Sequence, residues 1–272
     1  FYSKEFSNVG RSVHSLAVTA TNRFEETRDL TKKYINAKLR EEIIFTKNAT
    51  EAINLVASTY GERFINKDDE ILITELEHHA NYVPWHFIRE KKGAVIKFAK
   101  CNDRGEVEID EIKKLITKKT KIISITHLSN VTGAILPIKK IVDLAKTKNI
   151  PVLVDGCQGA PHLELDMQEL GCDFYALSCH KMYGPTGVGV LYAKKEWLDK
   201  LPPYQGGGGM IEEVKKDKIT FPESPTKFEA GTLQTAEVVG FSESIKFIED
   251  IGIKNIMRHE NEVLEYGLEQ LK

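Results

Sequence analysis

Short β-branched and apolar runs recur along the chain, separated by longer segments whose apolar residues repeat with helical spacing, and this alternation narrows the possible folds more than any other feature. The runs Ile43–Thr46, Glu70–Thr74, Val95–Phe98, Lys121–Thr126, Pro151–Asp155, Phe174–Ser178 and Val188–Ala193 read as strands. Each is mostly apolar, as a strand buried on both faces requires. Between them Thr50–Tyr60, Tyr82–Lys92, Asp110–Ile116 and Ile138–Lys148 read as helices, the third with an aspartate placed to cap it. Strands joined by such crossovers lie parallel, so the expected class is α/β, a mostly parallel seven-stranded sheet flanked by helices.

After Ala193 the rhythm changes. Pro202, Pro203, the run Gly206 to Gly209, Pro222 and Pro225 punctuate a loop-rich stretch, and two helices follow at Ala236–Ile251 and Ile253–Leu271. The last reaches Lys272 without a capping glycine or proline, and the first residue is Phe1, so the expectation is a piece of a larger protein. With 38 basic against 40 acidic residues, the net charge of -2 gives no electrostatic reason to expect nucleic acid or an anionic membrane as partner. Lysine pairs such as Lys113-Lys114 read as solvated helix faces. The four cysteines, Cys101, Cys157, Cys172 and Cys179, form no C-x-x-C pair, which points to a reducing compartment, the cytoplasm by default, and away from structural zinc or any other metal. No apolar run approaches the about 18 residues that cross a bilayer, and the start lacks the layout of a secretory signal.

In open α/β sheets ligands gather at the carboxyl ends of the strands. Three such ends carry chemistry: Asp155 closes one strand, Ser178-Cys179-His180-Lys181 closes the next, and Asn130 follows a third. Singly, Asp155 reads as a strand-end cap and Lys181 as a surface lysine. Together, 26 residues apart, they suit an aldehyde cofactor: the amine forms a Schiff base and the carboxylate keeps the pyridine nitrogen protonated. That cofactor is pyridoxal 5'-phosphate. Its phosphate needs N–H donors at a helix start, and Asn48-Ala49-Thr50 follows a strand and opens a helix, although alone it also reads as an ordinary N-cap.

Five strings carry a family resemblance: Asn48 to Asn54, Glu77 to Trp85, Val154 to Gln158, Ser178 to Gly187 and Phe228 to Thr232. Together they resemble the pyridoxal-phosphate-dependent cysteine desulfurases of the class V aminotransferase family, in the SufS-type (group II) branch. The resemblance implies the fold-type I large domain over residues 1–250, with 251–272 a helix leading into a C-terminal domain outside this chain. It makes Lys181 the Schiff-base lysine and proton shuttle, Asp155 the partner of the pyridinium nitrogen, and His78 the ring stacked on the cofactor. Gln158 is implied to bond the phenolic oxygen, and Ala49, Thr50, Ser178 and His180 to hold the phosphate. Asn130 is implied to lie beside the substrate carboxylate and ring, and Thr232 to reach the phosphate of a neighbouring subunit in a homodimer. The implied reaction takes sulfur from L-cysteine, leaving L-alanine, and passes it as a persulfide to a SufE- or SufU-type acceptor for iron-sulfur cluster assembly.

The chain departs from that pattern in three places. Gly10 replaces a histidine, although Arg11 and His14 remain, and Cys179 replaces a small residue beside His180. The string with the family's nucleophilic cysteine, and the substrate-carboxylate arginine of the same domain, are not matched, so this form is expected to bind cofactor and to be inactive in desulfuration. Cys179 is then the one rival thiol, expected to point to the other face of the pleat from Lys181. Other readings are another fold-type I enzyme (a selenocysteine lyase, a kynureninase-like hydrolase or an aminotransferase) or a non-catalytic cofactor-binding or scaffold subunit.

Overall fold

The structure is a computed structural model that describes residues 1–10 and 13–271; Arg11, singled out above, lies outside the described residues. In chain order the elements are α1 (Ser15–Tyr34), β1 (Ile43–Thr46), α2 (Ala49–Phe64), β2 (Glu70–Thr74), α3 (Val83–Lys92), β3 (Val95–Ala99), α4 (Ile109–Leu115), β4 (Thr120–Thr126), α5 (Ile138–Lys146) and β5 (Val152–Asp155). The single turns α6 (Gly159–His162) and α7 (Met167–Leu170) precede β6 (Phe174–Ser178) and β7 (Gly189–Ala193). Helix α8 (Lys195–Lys200), a small hairpin of β8 (Glu213–Val214) and β9 (Ile219–Thr220), and helices α9 (Thr235–Ile251) and α10 (Ile253–Gln270) complete the chain.

Strands β1 to β7 form one sheet in the order β1-β7-β6-β5-β4-β2-β3. Strand β7 pairs antiparallel with both neighbours while the remaining pairs are parallel. Six strands therefore point one way, and their carboxyl ends share one edge of the sheet with the start of β7. Side chains alternate across a pleated strand, and here successive residues enter two separate cores. Ile122, Leu153, Ala176 and Leu191 pack with α2 and α3, whereas Ile123, Val154, Leu177 and Val190 pack with residues of α1, α5 and α9 such as Phe24, Ile141 and Phe241.

Four differences from the sequence reading have physical causes. Strand β3 is not buried on both faces: it ends the strand order, and Val95 and Phe98 are 43% and 40% exposed. Helix α4 starts at Ile109 with Glu108 at its cap, so Asp110 sits in the first turn, where its charge faces the helix's positive end, and does not cap. The loop-rich stretch after β7 contains α8 and the hairpin. Helix α1 escaped the periodicity because its inward stripe, Ala17, Ala20, Phe24, Thr27, Arg28 and Thr31, is half polar.

Arg28 explains that stripe. It is 1% exposed and meets Glu229, itself 7% exposed, in a two-pronged pair with Nη1 to Oε1 at 2.8 Å and Nη2 to Oε2 at 2.9 Å. Burial disfavours the guanidinium charge, but Glu229, and after it Glu25, more than restore it and hold the group above its usual value. Both partners also satisfy the outer edge of β1: Arg28 Nη1 donates to the Ile43 carbonyl at 2.6 Å, and the Phe45 N–H donates to Glu229 Oε1 at 2.7 Å. An edge strand is thereby sealed by one ion pair. Because Arg28→Met leaves a buried carboxylate unpaired, it is expected to lower the unfolding free energy by roughly 3–5 kcal/mol in urea titrations. A loss below about 1 kcal/mol, the range of exposed pairs, contradicts this account.

Candidate functional site

The shared edge of the sheet holds a cleft of about 340 Å³, within the range of small-molecule sites. Backbone pairing levels its floor. Thr126 at the end of β4 lies opposite Asp155 at the end of β5, Asp155 lies opposite Ala176, and Ser178 at the end of β6 lies opposite Gly189, which also faces Thr46. Ala49, Thr50, His78, Asn130, Asp155, Gln158, Ser178, His180 and Lys181 all line this one cleft. Thr232 does not; it lines two other hollows, one with Phe24 and Glu229 and one with Glu51 and Gln205.

One end of the cleft suits an anion. Asn48 caps α2 by accepting from the Glu51 N–H at 2.9 Å, and the Ala49 N–H donates to Ser178 Oγ at 2.8 Å. With that oxygen accepting, the Ser178 hydroxyl proton is directed elsewhere, and Thr50 in the first turn is exposed to the cleft. The start of α2 reaches the sheet because Gly189 has no side chain: a Cβ there would lie 2.4 Å from the Asn48 carbonyl carbon. The Ala49 and Glu51 N–H groups are engaged by Ser178 and Asn48, so what this helix start offers a phosphate is its dipole together with the Thr50 and Ser178 hydroxyls.

Asp155, 3% exposed, occupies the middle of the cleft and accepts from the Cys157 N–H at 3.0 Å through Oδ1. Gly156 admits the Tyr175 ring beneath this turn; a Cβ there would come within 1.9 Å of it. The Tyr175 hydroxyl lies 2.9 Å from His127 Nδ1, and the backbone N–H of His127 donates to the backbone carbonyl of Asp155 at 2.9 Å, so the two strand ends are tied together and a buried phenol–imidazole pair lies beneath the turn that follows Asp155. Lys181 closes a 3-10 turn (Cys179–Lys181) held by the Met182 and Gly184 N–H groups on the Cys179 carbonyl at 2.8 and 3.0 Å. His78 is exposed at the mouth, and its Nδ1 accepts from the Ala80 N–H at 3.1 Å, which leaves the proton of the neutral ring on Nε2. A cleft with an amine, a buried carboxylate and an anion-ready helix start fits the aldehyde, ring nitrogen and phosphate of pyridoxal phosphate.

The thiol expectation needs correction. Cys157, not Cys179, lines the cleft. Cys179 is fully buried in the core because its residue has left the strand for the 3-10 turn, so strand alternation does not govern it. Burial, and then the Asp155 charge, push the Cys157 thiol well above its ordinary value, and burial does the same to Cys179. Neither is poised as a thiolate. Cys157 and Glu77 both escaped attention although each stands inside a string singled out for a neighbour, Asp155 and His78. Burial pushes the Glu77 carboxyl up to about 8 against the hydrogen bonds it receives, and Asp155 adds to the shift.

Comparison with known proteins gives the same picture. A family model described as aminotransferase class-V matches residues 1–272. A protein of Halalkalibacterium halodurans named probable cysteine desulfurase is 45% identical over 271 residues, which cover 100% of this chain and 67% of that protein. A Staphylococcus epidermidis protein of the same name is 47% identical over 271 residues, covering 100% of this chain and 66% of that one. The apo structure of a cysteine desulfurase from Thermococcus onnurineus NA1 superposes with a TM-score of 0.95 at 37% identity, covering 99% of this chain and 67% of that chain. The chain thus spans about two thirds of the length of these relatives.

The buried imidazole beneath the Asp155 turn makes stability depend on acid. Burial lowers the His127 imidazole to about 4 from its ordinary 6.5, so between those values the folded chain binds fewer protons than the unfolded one. The stability it contributes is present above the unfolded value and is lost as pH falls through the folded one, by roughly 3 kcal/mol over the window. His127→Asn, whose side chain keeps a polar atom near Nδ1 without titrating there, is expected to flatten this acid limb in denaturant titrations across that window. An unchanged slope contradicts the neutral, buried imidazole.

Proposed function

The chain belongs to the aminotransferase class-V family, and on that premise we propose that it is the cofactor-binding body of a SufS-type cysteine desulfurase, which takes sulfur from L-cysteine and leaves L-alanine. The observation that carries the reading is the convergence of the Lys181 amine, the buried Asp155 carboxylate and the start of α2 on one cleft. When bound, pyridoxal phosphate supplies an aldehyde carbon and an electron-withdrawing ring that stabilises charge at the substrate α carbon.

The residues of the chain divide the remaining work. Lys181 would hold the cofactor's aldehyde through its amine, and that amine, from a residue lining the same cleft, is the group that would take and return the substrate's α proton. Asp155, kept from water at its strand end, would hold the ring nitrogen in its protonated form. The start of α2, through its dipole and Ala49, with Thr50, Ser178 and His180, would hold the phosphate; Gln158 would bond the phenolic oxygen, His78 would pack on the ring, and Asn130 would lie beside the substrate carboxylate. Thr232, which faces other hollows, is free to serve the cleft of a second copy in a homodimer.

The sulfur acceptor lies outside these residues. The cleft's own thiol, Cys157, is held protonated by burial and then by Asp155, so it is not the group that takes the substrate sulfur. Residues 1–250 are then the large domain and α10 the connecting helix, a division supported by α10 burying only Ile256 among its described residues. Delivery to a SufE- or SufU-type acceptor for iron-sulfur cluster assembly in the cytoplasm completes the reading. Among the described residues no helix is long and apolar enough to cross a membrane.

The decisive test is covalent. Borohydride reduction of the protein incubated with pyridoxal phosphate is expected to leave the label on the peptide containing Lys181, and Lys181→Ala is expected to abolish labelling. A label on another lysine, or none, overturns the proposal.

A further inference from the structure

The string that brings His78 to the cleft carries a second ionisable residue, and the chemistry above gives it no part. Glu77 stands between β2 and the 3-10 turn His79–Asn81. Its carboxyl oxygens collect three donors: Oε1 accepts from Thr74 Oγ1 at 2.6 Å and from the Thr126 N–H at 3.1 Å, and Oε2 accepts from Asn81 Nδ2 at 2.6 Å. Asn81, fully buried, continues the chain of bonds, its Oδ1 accepting from Ser124 Oγ at 2.6 Å. The two residues that flank the His78-to-Ala80 span are therefore both fastened to β4, the strand whose Thr126 lies opposite Asp155.

His78 has no comparable anchor of its own. Its side chain is exposed, and the bond it accepts from Ala80 is local. The height of its ring over the cleft is set by where the two ends of its segment are tied. A carboxyl group has two oxygens that can engage three separate elements at once, which a hydroxyl or a single amide oxygen does less well. Burying it is costly unless such donors offset the loss of water.

We propose that Glu77 is a positioning residue that, through Thr126, Asn81 and Ser124, holds the His78 ring at the height where it packs on the pyridine ring of the cofactor. This rests on the pyridoxal phosphate reading and extends it to a residue that touches neither cofactor nor substrate.

A double-mutant cycle on the full-length protein tests the idea. The apo forms of the wild type, Glu77→Ala, His78→Ala and the double variant are titrated with pyridoxal phosphate, and the visible circular dichroism of the bound cofactor is recorded. Glu77→Ala is expected to weaken binding about three- to tenfold, the worth of one aromatic stack, and by no more than His78→Ala does. In the His78→Ala background it is expected to cost nothing further, and the dichroism of both single variants is expected to change alike. Melting temperatures record any general damage separately, since such damage appears equally with and without His78. If Glu77→Ala does not fold, Ser124→Ala replaces it in the same cycle, with a smaller loss that again requires His78. Losses that simply add, or a Glu77→Ala protein with unchanged affinity and dichroism, overturn the inference. A wild-type protein that takes up no pyridoxal phosphate overturns the parent reading instead.

Discussion

Hydrogen-bond register in the middle of the sheet is the constraint on which the cleft depends. Asp155 is level with Thr126 on one side and Ala176 on the other, and Ser178 is level with Gly189. A slip of one residue turns every side chain of a strand to the opposite face. Such a slip is opposed here by two cores, because neighbours such as Ile122 and Ile123, or Leu153 and Val154, are committed to different ones. The apolar packing locks the register, and the register presents the carboxylate, the serine and the lysine turn at one edge.

Around that frame the chain buries polar groups where an apolar design would be cheaper. Arg28 and Glu229 seal the β1 edge and tie α1 to the segment that carries Thr232. His127 and Tyr175 lie under the Asp155 turn, and the Glu77, Asn81 and Ser124 bonds lie under His78. Replacing such groups with well-packed apolar side chains is often neutral or stabilising, whereas removing one partner is not. Their common feature is geometric: each ties a site-bearing loop to a strand, which apolar packing, being non-directional, does less sharply.

Much of this was legible in the sequence, for identifiable reasons. Six of the seven sheet strands were recoverable because two-sided burial writes them as apolar runs, and the edge strand β3 through its β-branched and aromatic residues; nine of the ten expected site residues share one cleft because strand ends and helix starts are where such chemistry gathers. The failures have the opposite cause. Helix α1 was invisible because Arg28 and two threonines break its apolar stripe, a pattern that makes sense only once Glu229, 201 residues away, is in place. Cys179 points away from the cleft as expected, but through its 3-10 turn and not through strand alternation, and the thiol that does line the cleft, Cys157, was overlooked. Glu77 and His127 look like ordinary polar residues until the fold encloses them. Long-range polar pairing leaves no periodicity to read.

At the centre of the account stands Asp155, buried at a strand end, as the group that keeps a proton on the cofactor's ring nitrogen. The most direct measurement is the 15N chemical shift of ring-labelled pyridoxal phosphate bound to the protein at a pH where the free pyridine nitrogen is unprotonated. The account predicts a protonated nitrogen in the wild type and an unprotonated one in Asp155→Ala. An unprotonated nitrogen in the wild type, or a protonated one that survives loss of Asp155, contradicts it.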